Sequence, residues 1–455
     1  MGDDRFSVRG RNVVVLGAAR SGIAAAELLV RRGARVTLSE ARPAFDALER
    51  LRDIGVAIET GGHGPQTLRA ADLIVASPGV PLEQPSILAA HDAGIEIIGE
   101  LELAWRWLKG RVIAVTGTKG KSTTTTLIGR MLETDGRHVL VGGNIGVPLS
   151  AQVEASTPDT VHVVEASSFQ LETATTFKPW IAVWLNLADD HLDRHPDLAS
   201  YAAAKARVLA VQDASDTAVL NADDAVVVEQ SRHAAARKVW FSPSGSIAEG
   251  FVVDGAWIVR RTSTAKEPLV PTAAVELAGR HMLDNVTAAV AVGWAAGVPA
   301  AAMTQALRGF RGLEHVMEPV GQIGGVRFVN DSKATNVEAA RRSIESFASG
   351  VVAIVGGRFK GGDLRDLAPA LRTHGRSVVA IGDAAPLVVE ALSGVVPVTT
   401  ATSIADAVER AYRQAQPDGV VLLAPACASF DWFRDYADRG RAFKAEVARL
   451  RERET

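Results

Sequence analysis

The sequence predicts an α/β protein built in three consecutive sections. Its 455 residues are too many for one ordinary domain. Short apolar runs that end in glycine or proline alternate with longer helical segments, which is typical of parallel sheets covered by helices. Two of these runs lead through a glycine-rich turn into a helix, as nucleotide-binding units do. The composition, 47% apolar and 22% charged residues, is that of a globular protein.

Charge and cysteine content exclude several classes of protein. The net charge of −3 argues against a general nucleic-acid binder. The single cysteine, Cys427, excludes an intrachain disulfide and suits a reducing compartment.

The start of the chain, MGDDRFSVRG, lacks the features of a signal peptide. Residues 285–307 are long and apolar, but GVP at 297–299 interrupts them, so we expect two packed helices and no membrane insertion. We therefore expect a cytoplasmic protein, and we also expect it to be a monomer, although none of these features bears on its oligomeric state.

The first section, residues 1–103, opens like a Rossmann unit. The segment NVVVLGAARSGIAAAELLVRRGARVTLSEAR predicts a strand, a glycine turn, a helix and a second strand that ends near Glu40. The turn GAARSG lacks the middle glycine that lets a dinucleotide pyrophosphate approach. This disfavours an NAD-dependent oxidoreductase.

The second section, residues 104–311, begins with a phosphate-binding loop. In VIAVTGTKGKSTTTT a strand is followed by Gly117 and Gly120, then by Lys121 and Ser122 at a helix start. Glycines let backbone N–H groups approach phosphate, the lysine adds a charge, and the hydroxyl can bind Mg²⁺. The loop is shorter than the common P-loop pattern, because Val115 stands where that pattern has its first glycine. The loop predicts a nucleoside triphosphate site without indicating how its energy is used.

Acidic residues follow two later strands of this section. Glu165 ends TVHVVE, and the loop LNLADDHLDRH at 185–195 follows the next strand. Ligand sites in α/β sheets lie at the carboxyl ends of strands, and oxygen-rich ligand sets favour Mg²⁺ over zinc.

The third section, residues 312–455, again alternates strands (VVAIVGG, SVVAIG, GVVLLAPA) with helical segments.

Seven motifs in this order resemble those of the Mur ligases of peptidoglycan synthesis: TGTKGKST, GGNIG, EASSFQLE, LNLADDHLDRH, AAAKARVL, NDSKATN and APACASFDWFRDYADRG. The NDSKATN and CASFD segments are most similar to the member that adds D-glutamate to UDP-N-acetylmuramoyl-L-alanine. The resemblance implies a UDP-substrate domain, a central P-loop ATPase-like domain and a Rossmann-like domain that binds the amino acid. It also implies ATP-driven ligation through an acyl phosphate, with release of ADP and phosphate, in cell wall biogenesis.

The resemblance further implies roles for individual residues. The catalytic set is Lys121, His191 and Lys205, the last as a carbamate. The ATP-binding set is Gly117, Thr118, Lys119, Gly120, Lys121, Ser122, Thr123, Asn285 and Asp331. Two Mg²⁺ ions would be held by Ser122, Glu165, His191 and Lys205. The substrate-binding set is Gly17, Ala18, Ala19, Arg20, Ser21, Glu40, Arg42, Ser77, Gly79, Asn144, Ser167, Lys333, Thr335, Lys360, Ser429 and Tyr436.

Two positions depart from the family pattern. Val316 in GLEHVME stands where the family has an arginine that reaches the ATP phosphates, and Met282 in HMLDN replaces an asparagine that binds adenine. Losing a charged contact such as that of the arginine costs about 2–4 kcal/mol of the stabilisation directed at the ATP phosphates. These departures leave open a homologue that binds nucleotide or UDP-sugar without catalysis. The sequence also leaves open a sibling ligase that adds another amino acid and a folyl-polyglutamate synthetase-like enzyme.

Overall fold

The computed structural model describes residues 6–45, 47–188, 195, 197–275, 280–310, 312–359 and 361–454, without the side chains of residues 280 and 281. The chain divides into two compact units, Met1–Phe310 and Arg311–Thr455. Both units are α/β, as predicted, and together they contain three sheets of mostly parallel strands. The first unit carries two of these sheets. The domain boundary at residues 103 and 104 stays a prediction.

The first sheet is parallel throughout and has the strand order β3-β2-β1-β4-β5. Its strands are β1 (Asn12–Leu16), β2 (Arg35–Glu40), β3 (Ala57–Thr60), β4 (Leu73–Ala76) and β5 (Ile97–Gly99). The helices are α1 (Arg20–Arg31), α2 (Leu48–Asp53), α3 (Pro65–Arg69), α4 (Pro85–Asp92) and α5 (Glu100–Trp105). Small residues bring α1 close to β1: a Cβ on Gly22 would lie 1.9 Å from the Gly17 carbonyl oxygen. The chain order reverses beside β1, which is where such sheets bind ligands.

The second sheet has nine strands in the order β14-β13-β12-β11-β10-β9-β6-β8-β7. Its strands are β6 (Arg111–Thr116), β7 (His138–Gly143), β8 (Thr160–Glu165), β9 (Ile181–Trp184), β10 (Thr217–Asn221), β11 (Arg237–Ser242), β12 (Gly250–Asp254), β13 (Trp257–Arg261) and β14 (Lys266–Pro271). The strands from β7 to β12 run parallel, whereas β13 pairs antiparallel with both of its neighbours. Because β6 lies between β8 and β9, the segments that follow these three strands meet at one edge.

The helices of this sheet include the two predicted for residues 285–307. They are α6 (Lys121–Thr134), α7 (Leu149–Gln152), α8 (Ser168–Glu172), α9 (Leu198–Ala206), α10 (Ala225–Gln230), α11 (Arg280–Ala295) and α12 (Ala300–Leu307). The GVP segment separates α11 from α12, and both pack on α6 in the core. Among the helices of the described residues, none is long and apolar enough to cross a membrane.

The second unit has one six-stranded sheet in the order β15-β16-β20-β17-β18-β19, antiparallel only between β15 and β16. Its strands are β15 (Glu318–Ile323), β16 (Val326–Asn330), β17 (Val351–Gly356), β18 (Gly375–Ile381), β19 (Val398–Thr400) and β20 (Val420–Leu423). The helices are α13 (Val337–Glu345), α14 (Ala368–His374), α15 (Ala385–Leu392), α16 (Ile404–Ala415) and α17 (Tyr436–Glu454). Since β16, β20 and β17 are neighbours, the loops that follow them converge.

Candidate functional site

The phosphate loop connects β6 to α6 as predicted from its sequence. Gly117 and Gly120 have φ angles of 148° and 81°, which side-chain-bearing residues rarely adopt. The Lys121 ammonium donates hydrogen bonds to the carbonyls of Gly117 (3.0 Å) and Thr118 (2.9 Å). Lys121, Ser122 and Thr123 form the first turn of α6, where backbone N–H groups have no partner within the helix. This turn can therefore receive an anion.

Glu165 connects the phosphate loop with the GGNIG segment. It ends β8, next to β6, and is only 2% exposed. Its Oε2 accepts a hydrogen bond from Ser122 Oγ at 2.6 Å, and its Oε1 accepts one from Asn144 Nδ2 at 2.7 Å. A buried carboxylate beside a hydroxyl at a phosphate loop is a set of oxygen donors that suits Mg²⁺.

Lys205 lies under the same loop although it is distant in sequence. It sits in the last turn of α9 and is 1% exposed. Its Nζ donates to the Gly117 carbonyl at 2.8 Å and lies 4.4 Å from the centre of the Tyr201 ring. The structure therefore brings Lys205 and Lys121 to one carbonyl oxygen, that of Gly117. Asn285, on α11, also contacts the loop, because a Cβ on Gly120 would lie 2.0 Å from its Oδ1.

Asn186 is a loop-supporting residue that the sequence reasoning did not single out. Its Oδ1 accepts hydrogen bonds from the N–H groups of Thr118 (3.0 Å) and Lys119 (2.9 Å), and its Nδ2 donates to the Lys119 carbonyl (3.1 Å). It follows β9, so it reaches the loop across the sheet edge. The motif LNLADDH contains this asparagine, but its two aspartates and its histidine carried the predicted chemistry, and the asparagine gave no separate signal.

The acidic loop after β9 is described only in part. His191 and Asp189 to Asp193 lie outside the described residues. His195 is buried, stacks on Phe169 at 5.4 Å and contacts Ser168 Oγ through Nε2 at 3.0 Å. Its other nitrogen, Nδ1, lies 3.3 Å from Glu172. His195 therefore packs against α8, where Ser167 caps the helix by accepting a hydrogen bond from the Gln170 backbone.

The predicted UDP-substrate residues of the first sheet surround one cavity of about 440 Å³. It lies outside the carboxyl ends of β1, β2 and β4 and reaches the GGNIG segment. The predicted residues that line it are Gly17, Ala18, Ala19, Arg20, Ser21, Glu40, Arg42, Ser77, Gly79 and Asn144. Arg20 also donates to the Gly146 carbonyl at 3.1 Å. Since Asn144 also donates a hydrogen bond to Glu165, one side chain links the wall of this cavity to the residue beside the phosphate loop.

Glu40 organises the wall of this cavity. Its carboxylate accepts hydrogen bonds from the N–H of Ala18 at 2.6 Å and from the backbone and guanidinium of Arg42 at 3.0 Å. Burial raises the pKa of Glu40, but the hydrogen bonds from Arg42 and Ala18 outweigh it and lower this pKa to about 2. The carboxylate is therefore ionised at neutral pH and holds the glycine turn in place.

His63 also lines this cavity, although the sequence reasoning did not include it. It follows β3 in the glycine-rich segment ETGGHG, and its Nδ1 lies 2.9 Å from Ser39 Oγ. Burial lowers the pKa of His63 despite the nearby Glu40 and Glu59. The glycines that follow β3 were a sequence feature that could have placed His63 at the ligand-binding end of this sheet.

Within the second unit, the NDSKATN and CASFD loops are joined by a buried arginine. Arg439, on α17, is 1% exposed. It donates to the Ser332 hydroxyl and carbonyl at 2.9 Å each and to the Cys427 carbonyl at 3.1 Å. Burial lowers the pKa of Arg439 to about 10, which leaves it charged at neutral pH. This arginine keeps Lys333 and Ser429 at the same edge of the sheet.

The other predicted residues of this unit lie around the same edge. Asp331 is buried, and its carboxylate accepts hydrogen bonds from Ser343 Oγ and from the Met317 N–H. Burial raises its pKa. Tyr436 begins α17 and accepts a hydrogen bond from Ser332 Oγ through its carbonyl at 2.7 Å. Lys333 and Thr335 are half-buried, whereas Lys360 lies outside the described residues.

Comparison with family models assigns all three sheets to one family. The Mur ligase MurD-like N-terminal domain matches residues 11–99, the Mur ligase middle domain matches residues 115–293, and the Mur ligase glutamate ligase domain matches residues 317–427. The matches follow the order of the three sections.

Full-length relatives agree with these matches. A protein of Acidobacterium capsulatum named UDP-N-acetylmuramoylalanine–D-glutamate ligase is 47% identical over 445 residues, which is 96% of each chain. A protein of the same name from Koribacter versatilis is 43% identical over 452 residues, 99% of this chain and 100% of its own. Among solved structures, a UDP-N-acetylmuramate–alanine ligase of Thermotoga maritima has a TM-score of 0.57 at 19% identity, covering 97% of this chain and 100% of its own. That likeness concerns the fold alone.

Proposed function

The chain belongs to the Mur ligase family, and we propose that it joins D-glutamate to UDP-N-acetylmuramoyl-L-alanine at the expense of ATP. The observation that carries this proposal is the 47% identity, over 96% of both chains, to a ligase of that name. In this reaction the substrate carboxylate attacks the γ-phosphate of ATP. The amine of D-glutamate then displaces phosphate from the acyl phosphate, and an amide forms.

The phosphate loop supports the first step. We assign the triphosphate to the first turn of α6, where the N–H groups and Lys121 offset negative charge. Phosphoryl transfer requires positioned charge more than a covalent nucleophile, which agrees with the lysines, hydroxyls and carboxylate that the described part of the chain places at this loop. Lys121 would move from the carbonyls of Gly117 and Thr118 to the phosphate oxygens.

The oxygen donors next to the loop fit a magnesium ion. Glu165 Oε2, at the end of β8, lies 2.6 Å from Ser122 Oγ in the first turn of α6, and the two side chains would hold the ion together with the phosphate oxygens. An Mg²⁺ ion bound with a nucleotide usually takes only one or two carboxylate ligands from the protein and the rest from phosphates and water, so Glu165 and Ser122 suffice as the protein's share. When bound, the ion neutralises charge on the transferred phosphoryl group. A second ion at His191 and a carbamate on Lys205 remain proposals.

The UDP end of the substrate fits the 440 Å³ cavity of the first sheet. Its backbone N–H groups, Ser21, Ser77 and Arg42 offer donors to an anionic nucleotide, and Asn144 lies between this cavity and Glu165. A substrate bound there would therefore direct its carboxylate toward the phosphate loop. We assign D-glutamate to the second unit, at Lys360, Ser429 and Tyr436, and we count Lys333 and Thr335 as further substrate-binding residues.

The function is tested by phosphate release from ATP with UDP-N-acetylmuramoyl-L-alanine and Mg²⁺, across L-alanine, L-glutamate, D-glutamate and diamino acids. We expect release that depends on D-glutamate, with a product whose mass equals the amide. Release that depends on another amino acid would indicate a sibling ligase. No release despite binding of the UDP substrate would favour a binding protein, as Val316 and Met282 allow.

A further inference from the structure

A second cavity lies in the first unit, beside the start of β6. The phosphate loop follows the other end of the same strand. The volume of this cavity is about 950 Å³. Arg111, on its wall, is the first residue of β6, whereas the phosphate loop follows the last one. Five steps along a strand at about 3.3 Å each separate the two ends by roughly 17 Å. The cavity is therefore separate from the site assigned to ATP and from the cavity assigned to UDP.

Aromatic and basic side chains alternate around this cavity. Trp105, Trp107 and Trp180 contribute three indole rings. The Arg111 guanidinium lies 4.7 Å from the centre of the Trp180 ring, and the Arg32 guanidinium lies 5.2 Å from that of Trp107. In each pair the guanidinium lies over the face of the indole, so the pair offers a planar, positively charged surface, and proteins stack nucleobases on arginine planes as well as on aromatic rings.

The charges of the wall are only partly compensated. Arg32 pairs with Glu154 at 2.9 Å, and Arg106 pairs with Glu96 at 2.7 Å. For Lys109 and Arg111, in contrast, no carboxylate among the described residues lies within 4.0 Å. Both residues are exposed and line the cavity. Two adjacent positive charges are therefore available to an anion.

The backbone that carries these two charges is held in one conformation. Ser156 Oγ accepts hydrogen bonds from the N–H groups of Lys109 (3.0 Å) and Gly110 (3.2 Å) and contacts His162 Nε2 at 2.8 Å. Burial lowers the pKa of His162 to about 4, so it is neutral and adds no competing charge. A Cβ on Gly110 would lie 2.2 Å from the Thr160 carbonyl oxygen, so the turn packs closely on β8 and leaves no room for a side chain at this position. The site is formed before any ligand arrives.

We propose that this cavity binds a small aromatic anion of the nucleoside monophosphate class, with the base against the stacked Arg111–Trp180 pair and the phosphate near the charges of Lys109 and Arg111. The volume is within the range of about 300–1,000 Å³ usual for small-molecule sites. The net charge of −3 disfavours a nucleic-acid polymer as the ligand, since such partners need an extended basic surface. A mononucleotide needs only the local pair of charges.

The test is a titration of the whole protein with AMP. Binding is measured by isothermal titration calorimetry and by the quenching of tryptophan fluorescence. We expect AMP to bind and to quench fluorescence, with the quenching largely lost in Trp180→Phe. The double change Lys109→Glu and Arg111→Glu should weaken binding at least about tenfold, because two charge-assisted contacts become repulsive. Adenosine, which lacks the charge, and ribose 5-phosphate, which lacks the ring, should each bind at least about tenfold more weakly than AMP.

Two control variants separate this site from the others. Lys121→Ala removes the lysine of the phosphate loop and should leave AMP quenching unchanged. Arg69→Glu reverses an exposed charge at the end of α3 and should also have no effect. Should the double variant have a lower melting temperature, Lys109→Gln with Arg111→Gln replaces it. Loss of AMP binding in Lys121→Ala, equal binding in the charge variants, or no binding at millimolar AMP would each overturn the proposal.

Discussion

Replacing Glu165 by glutamine tests the magnesium assignment with little disturbance of the fold. The amide has the shape of the carboxylate and can keep both contacts: its Nε2 would donate to Ser122 Oγ, and its Oε1 would accept from Asn144 Nδ2. What is lost is the negative charge. A hydrogen bond or ligand contact to a charged group is worth about 1.5–3 kcal/mol, which corresponds to roughly 10- to 150-fold in kcat/KM. We expect a loss in this range and a higher Mg²⁺ concentration for half-maximal rate.

The assay is phosphate release at a series of Mg²⁺ concentrations, with melting temperatures of all variants measured alongside. Glu133→Gln is the matched control, because Glu133 lies exposed on α6, the helix that carries Ser122. It should behave as the wild type. Equal kcat/KM and equal Mg²⁺ dependence in Glu165→Gln and wild type would refute the assignment. A fall in melting temperature that accounts for the lost activity would show that the role of Glu165 is structural.

Three further changes probe the support of the site. Asn186→Ala removes three hydrogen bonds to the phosphate loop and should raise the KM for ATP about tenfold, with little change in UDP-substrate binding; an unchanged KM would contradict this role. The stabilisation from Glu40 is present above its unfolded pKa of 4.5 and disappears as the pH falls through about 2. Glu40→Gln should therefore lower the melting temperature at pH 7 and make less difference near pH 2, and an equal difference at both pH values would argue against ionisation as the cause. Gly22→Ala should destabilise the first sheet by several kcal/mol, because its Cβ would lie 1.9 Å from the Gly17 carbonyl oxygen, which is held in the backbone. A melting temperature equal to that of the wild type would contradict this. The control is Gly79→Ala, whose Cβ would meet no atom within 4 Å.

Local motifs made much of the phosphate loop and the first glycine turn predictable. A strand, a glycine turn and a helix start are consecutive in sequence, so the sequence itself places Gly117, Lys121 and Ser122 in one turn. The same holds for Gly17 to Ser21 after β1 and for Glu40 at the end of β2. The two helices of residues 285–307 were predictable from the GVP break. These features depend on neighbours within a few residues.

The contacts of Asn186, His63 and Arg439 depended on tertiary structure instead. Asn186 meets the phosphate loop only because β9 is a neighbour of β6, and Arg439 joins two loops because α17 packs beside β16. The antiparallel strands β13 and β14 carried no motif and were not predicted. Sequence alone determined which residues can bind phosphate, because that chemistry is built within one turn. The fold decided which distant side chains complete the site, because strand order and helix packing bring them within hydrogen-bonding distance.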